Sequence, residues 1–184
     1  MKSKYPERKK RPTEHGGSFL LGKRKTRRPL TTKTPIHVVL RSDFAYGTRS
    51  LLRHRPLIEK TILNASKRFK IRIYEKAVVG NHIHLLVKGK RREHIQNFFR
   101  VVAGHTAQQI LKIRPLTSHE KKRRIGARRG ERETDNKFWE TRVYTRLVKW
   151  GRDFFTVKAY VIQNTLEALG LRAYKERKIY LAAG

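Results

Sequence analysis

The sequence predicts an α+β domain of the ferredoxin-like, split βαβ kind: a four-stranded antiparallel sheet with helices on one face, followed by a C-terminal helix. Three observations support this. β-rich segments and stretches of helical period follow one another in the order β-α-β-β-α-β-α. A Gly80-Asn81 turn closes two of the strands into a hairpin. The 184 residues are enough for one domain with a proper core but too few for two comfortable ones.

The first strand is Ile36-His37-Val38-Val39-Leu40-Arg41, short and rich in β-branched residues. The first helix repeats Ile58, Ile62, Ala65 and Phe69 on one face, with Pro56 in its first turn, where a missing N–H costs nothing. Residues 70–79 (KIRIYEKAVV) and 82–87 (HIHLLV) are the hairpin strands. A second helix carries Ile95, Phe98, Phe99, Val102, Thr106 and Ile110 on one stripe, bounded by Pro115. Residues 143–148 give the fourth strand, and residues 154–169 a third helix stopped by Gly170. On that helix Phe154, Val161, Ile162 and Leu169 are expected to form the packed face. Tyr160 falls nearly opposite them, with Asn164 one turn further on.

Around this domain, residues 35–170, the sequence places three basic segments. Residues 1–34 read as an arm too poor in apolar surface to order by itself. Residues 114–137 read as a charged loop containing Lys121, Lys122, Arg123 and Arg124, and residues 171–184 as a tail. Lys and Arg number 46 against 14 Asp and Glu, a formal charge of +32. Such an excess points to a polyanionic partner, although a purely solubilising role is the plainer alternative for the arm. No apolar run approaches the roughly 18 residues of a spanning helix, and neither a lipidation motif nor a secretory signal is visible, so no membrane partner is expected. Without cysteine there is no disulfide, no thiolate zinc site and no thiol nucleophile. The expected location is cytoplasmic and nucleoid-associated.

In a strand, residues two apart share a face at roughly 6.5–7 Å between Cα atoms, so His82 and His84 project side by side. Two readings stand: a pair of imidazoles converging on one metal ion, or polar alternation on an exposed sheet face. Tyr160 likewise reads as a nucleophile or as a half-exposed packing residue. The Asn164 amide oxygen is a competent ligand for a hard ion such as Mg²⁺ or Mn²⁺.

These residues carry a resemblance. Asn81-His82-Ile83-His84-Leu85-Leu86 matches the N-H-x-H-L-L motif of the single-tyrosine HUH transposases, especially the REP-associated tyrosine transposases of bacteria, with Val79-Gly80 where Met-Pro is usual. Phe138-Trp139, Arg142 and Thr145-Arg146-Leu147 approximate a later signature: an aromatic pair, an Arg and a D-R-V/I run. Tyr160-Val161-Ile162-Gln163-Asn164-Thr165 is similar to the closing Y-I-x-x-N-P, with Thr165 in place of proline, a departure that touches helix geometry beyond the site. The similarity runs from about residue 35 to residue 170.

The resemblance implies a metal-dependent enzyme that cuts and joins single-stranded or hairpin DNA. His82, His84 and Asn164 would hold Mg²⁺ or Mn²⁺, and Tyr160 would form a 5′-phosphotyrosine intermediate. No nucleotide is then needed, in keeping with the absence of a Gly-x-x-x-x-Gly-Lys-Ser/Thr loop. Arg142, Arg146, Lys149, Arg152 and the 121–124 run would neutralise phosphates, while Trp139, Tyr144 or Trp150 would either stack on a base or fill the core. Monomer and homodimer, the latter exchanging the third helix, are both open. The competing reading is a non-catalytic nucleic-acid-binding protein of ribosomal or RNA-binding type on the same scaffold. It has no need of His82, His84, Tyr160 and Asn164 together, and the aromatic strand pattern of the common RNA-binding fold is missing.

Overall fold

The computed structural model describes residues 13–17, 27–113, 138–139 and 142–174; Lys121, Lys122, Arg123 and Arg124 lie outside them. In chain order the elements are β1 (Glu14–His15), β2 (Ile36–Arg41), α1 (Arg55–Arg68), β3 (Ile71–Val78), β4 (His82–Gly89), α2 (Arg92–Ile113), β5 (Tyr144–Leu147) and α3 (Arg152–Ala168). The strands form one antiparallel sheet in the order β1-β5-β2-β4-β3.

Strand alternation sorts the side chains into two layers. Ile36, Val38 and Leu40 of β2 and Ile83, Leu85 and Val87 of β4 turn to one face. There they pack on Ile58, Ile62 and Ala65 of α1 and on Ile95, Phe98, Val102 and Ile110 of α2. Each of these side chains except Ala65 contributes roughly 1.5–3 kcal/mol by leaving water. The intervening residues turn to the other face, where Leu86 and Ala77 meet Val148 and the Phe154, Val157 and Val161 stripe of α3. A register shift between Ile73 and Glu75 leaves Tyr74 as an extra residue. Its ring meets Trp150 and Phe154 edge-on at the start of α3.

Two findings differ from the sequence expectation. The sheet has a fifth strand, because Glu14 and His15, inside the segment read as an arm, pair with Arg146 and Thr145 on the edge of β5. Backbone hydrogen bonds hold it there: Leu147 N–H donates to the Thr13 carbonyl at 2.9 Å, and Gly17 N–H to the Arg142 carbonyl at 2.8 Å. Further along the same segment, the Arg28 guanidinium donates to the Val143 carbonyl at 2.6 Å and to Thr145 Oγ1 at 2.8 Å. Apolar content therefore did not decide order here; main-chain pairing and a partly buried arginine did.

The second difference concerns α3. Its packed face is Phe154, Val157, Val161 and Asn164, while Ile162 and Leu169 are exposed at 39 % and 45 %. Spacings of three, four and three make a narrower stripe than the expected set, and a single helix lying on a sheet buries only a stripe of that width.

Candidate active site

His82 and His84 stand on β4, an interior strand between β2 and β3, on the face opposite α1 and α2. Their rings meet at right angles with centroids 4.7 Å apart. α3 crosses this face over β3 and β4, and brings the Tyr160 ring edge-on to His84 at 5.4 Å. Tyr160 keeps 36 % of its surface exposed, so the phenol can be reached from solvent. Asn164 lies one turn further on, on the buried side of α3, and its amide nitrogen donates to the Tyr160 carbonyl at 2.7 Å. That bond fixes the amide and leaves its oxygen as the end able to serve a ligand.

A third imidazole belongs to the group and escaped the sequence reading. His37 of β2 is buried, with Nε2 3.2 Å from His84 Nδ1 and its ring edge-on to Tyr160 at 6.0 Å. The β2–β4 register sets His37 opposite Leu86 and Val39 opposite His84, so His37 is the diagonal neighbour of His84 on the same face. A lone histidine at an otherwise apolar strand position was the only signal available, and the register that makes it meaningful is not local.

The electrostatics keep the His37 and His82 rings neutral. Burial, reinforced by the positive charge of Arg146, lowers His37 to about 4. His82 is lowered to about 4 by burial and then by Arg41, its cross-strand partner. A neutral imidazole offers one nitrogen lone pair, which is what a metal ligand requires. His82 Nδ1–H donates to Asn81 Oδ1 at 2.7 Å, so its Nε2 carries the lone pair. Among the described residues no group of three or more His, Cys, Asp or Glu side chains is placed to hold a metal ion. An ion here would rest on two imidazoles and on oxygen from an amide or water, a set that Mg²⁺ and Mn²⁺ accept.

The basic residues expected near the site fall into different situations. Arg146 is engaged, 2.6 Å from Asp153 Oδ1 and 3.8 Å from a Glu14 carboxylate oxygen, and so ties β5 to α3 and to β1. The Asp153 carboxylate also accepts the Lys149 backbone N–H at 2.9 Å, while Lys149 itself, like Arg142 and Arg152, is exposed. Of the three aromatics, Trp139 is structural: Nε1–H donates to the Ala103 carbonyl and its ring packs on Phe138. The Tyr144 phenol is pushed above its usual range by burial and by Glu14. Trp150 is the most exposed of the three, at 47 %, with the Lys88 ammonium 5.2 Å from its ring centre.

An antiparallel sheet with two helices on one face and a third helix across the other is a fold this chain shares with a solved transposase. A REP-associated tyrosine transposase bound to a REP hairpin is similar in fold at a TM-score of 0.53 and 12 % identity, over 78 % of this chain and 73 % of that one. A candidate transposase from Deinococcus radiodurans gives a TM-score of 0.43 and 14 % identity, over 77 % of this chain and 98 % of that one. No curated protein matches the chain. The profile of the family described as transposase, IS200-like, matches residues 31–164, more than half of the sequence, and the chain belongs to that family. The matched span starts just before β2 and ends at Asn164, so it contains the three histidines and Tyr160.

Proposed function

We propose that this transposase cleaves and rejoins single-stranded DNA, in hairpin or palindromic form, through a covalent bond to Tyr160. The observation that carries the reading is the convergence of His82, His84 and Tyr160, from two elements distant in sequence, on the sheet face that α1 and α2 leave uncovered. His82 and His84, with the Asn164 amide oxygen, are the donors that would hold Mg²⁺ or Mn²⁺. When bound, such an ion draws charge from a phosphate and fixes its orientation.

The chain's own residues supply the rest. The Tyr160 oxygen gives up its proton as it bonds to phosphorus, and the phosphate's bond to the 3′ oxygen breaks. The departing strand end takes up a proton, and the new 5′-phosphotyrosine link conserves the bond for a later joining step without a nucleotide. Arg142, Lys149, Arg152, Lys121, Lys122, Arg123 and Arg124 would counter the phosphate charge, with Trp150 as the base-stacking surface. The hairpin-bound state of the REP-associated relative supports the choice of substrate. We place the activity in the cytoplasm with the DNA; no helix among the described residues is long and apolar enough to cross a membrane.

The test is a denaturing gel of the chain incubated with labelled hairpin single-stranded DNA and Mn²⁺. A labelled protein band that needs the ion is expected. Hairpin binding with no covalent product under either Mg²⁺ or Mn²⁺ would instead support a non-catalytic nucleic-acid-binding module.

A further inference from the structure

We infer that His37 is a positioning residue that fixes the tautomer of His84, accepting its Nδ1–H so that His84 Nε2 keeps the lone pair a metal ion needs. The inference rests on the metal-binding reading above and extends it to a residue outside that ligand set.

The geometry is that of a ring-to-ring hydrogen bond. His37 and His84 are nearly parallel, 11° apart, with centroids at 5.3 Å and facing nitrogens at 3.2 Å. Centroids this much further apart than the nitrogens mean that the rings lie side by side rather than face to face. A ring lone pair lies in the ring plane, so this is the arrangement an N–H···N bond requires.

The direction of that bond decides what His84 can do. Each neutral imidazole carries one N–H and one lone pair. If His37 donated, His84 Nδ1 would accept, its proton would sit on Nε2, and both nitrogens would be closed to an ion. If His84 donates, Nε2 is open and His37 holds its own proton on Nδ1. His37 cannot serve as a third ligand through Nε2 in this arrangement, because that nitrogen is turned to His84. The two motif histidines are thus oriented from different sources: His82 by Asn81, its neighbour in sequence, and His84 by His37, a residue 47 positions away on the adjacent strand.

Two variants and two readouts test this. His37→Phe keeps a ring and removes the acceptor, whereas His37→Gln keeps an amide oxygen that can accept. Mn²⁺ is titrated calorimetrically into the full chain, and nitrogen-15 NMR reports which nitrogen of His84 carries its proton without metal. The native chain is expected to show His84 protonated at Nδ1. His37→Phe should lose about 10- to 100-fold in Mn²⁺ affinity, the usual effect of removing the partner of a ligating histidine, and His37→Gln should retain most of it. Native affinity in His37→Phe overturns the inference alone. Equal loss in both variants makes His37 a packing residue and overturns it too. No Mn²⁺ binding by the native chain overturns the metal reading and this inference with it. Should His37→Phe fail to fold, the native tautomer decides: a proton on His84 Nε2 refutes the proposal.

Discussion

Val161 and Ile162 are neighbours on α3 with opposite fates, and replacing each by alanine tests which face of the helix holds Tyr160 in place. Val161 is fully buried against the sheet, whereas Ile162 is 39 % exposed. Val161→Ala removes two methyl groups at about 0.8 kcal/mol each and adds a smaller cost for the cavity. Alanine returns about 0.5 kcal/mol of helix propensity at either position. The net loss for Val161→Ala is therefore about 1–2 kcal/mol, or about 2–8 °C in Tm at the 2–4 °C per kcal/mol usual for a chain of this size. Ile162→Ala loses little burial and gains the same propensity, so its Tm should stay within about 2 °C of the native value. Thermal melts followed by circular dichroism in metal-free buffer measure both. Equal shifts, or a larger shift for Ile162→Ala, would refute the packing of α3 described above. A second readout follows from the position of Tyr160 beside Val161: covalent product per bound DNA should fall in Val161→Ala and not in Ile162→Ala.

Three further outcomes are expected. His37 is held at about 4 when folded, by burial and then by Arg146, against about 6.5 unfolded. The folded chain thus binds fewer protons than the unfolded chain between those values, and stability that is complete above about pH 6.5 declines by up to about 3 kcal/mol as pH falls toward 4. The Tm of the metal-free protein should fall across that window, less steeply in His37→Phe, and a flat profile would contradict the burial of a neutral ring. Gly16 sits at φ +86°, and a Cβ there would lie 2.1 Å from the Val143 carbonyl oxygen. Gly16→Ala should cost about 1–3 kcal/mol or release β1, raising hydrogen exchange at the Leu147 amide, which donates to the Thr13 carbonyl next to β1; unchanged protection would refute the edge pairing. Binding of single-stranded DNA should weaken steeply with salt, since each neutralised phosphate adds about −0.7 to the log–log slope, and a slope shallower than about −2 would mean that the basic surface does not engage the backbone.

Much of the scaffold was legible because periodicity and burial coincide in it. The first strand spans residues 36–41 as read, and all six residues of the expected α2 stripe, from Ile95 to Ile110, are buried. The His82-Ile83-His84 alternation fixed which two side chains share a face, since a strand offers no other arrangement. What escaped depends on distant partners. Glu14 and His15 form a strand through main-chain bonds to residues about 130 positions later, for which side-chain pattern is no guide. His37 acquires meaning from the β2–β4 register. On α3 the expected set counted apolar residues, whereas the packed stripe includes Val157 and the polar Asn164, whose amide is satisfied within its own helix. Asn164 was therefore found on the buried side rather than on the exposed face where helical projection had set it beside Tyr160.

The proposed function requires Tyr160 to be the nucleophile, and one substitution tests this. Tyr160→Phe removes a single oxygen and keeps the ring that lies edge-on to His84 and His37, so folding and hairpin-DNA binding should be close to native. In the denaturing-gel assay with Mn²⁺, Tyr160→Phe is expected to give no covalent DNA product, while Tyr174→Phe, an exposed residue beyond α3, gives the native amount. A covalent product from Tyr160→Phe at native yield would contradict the assignment.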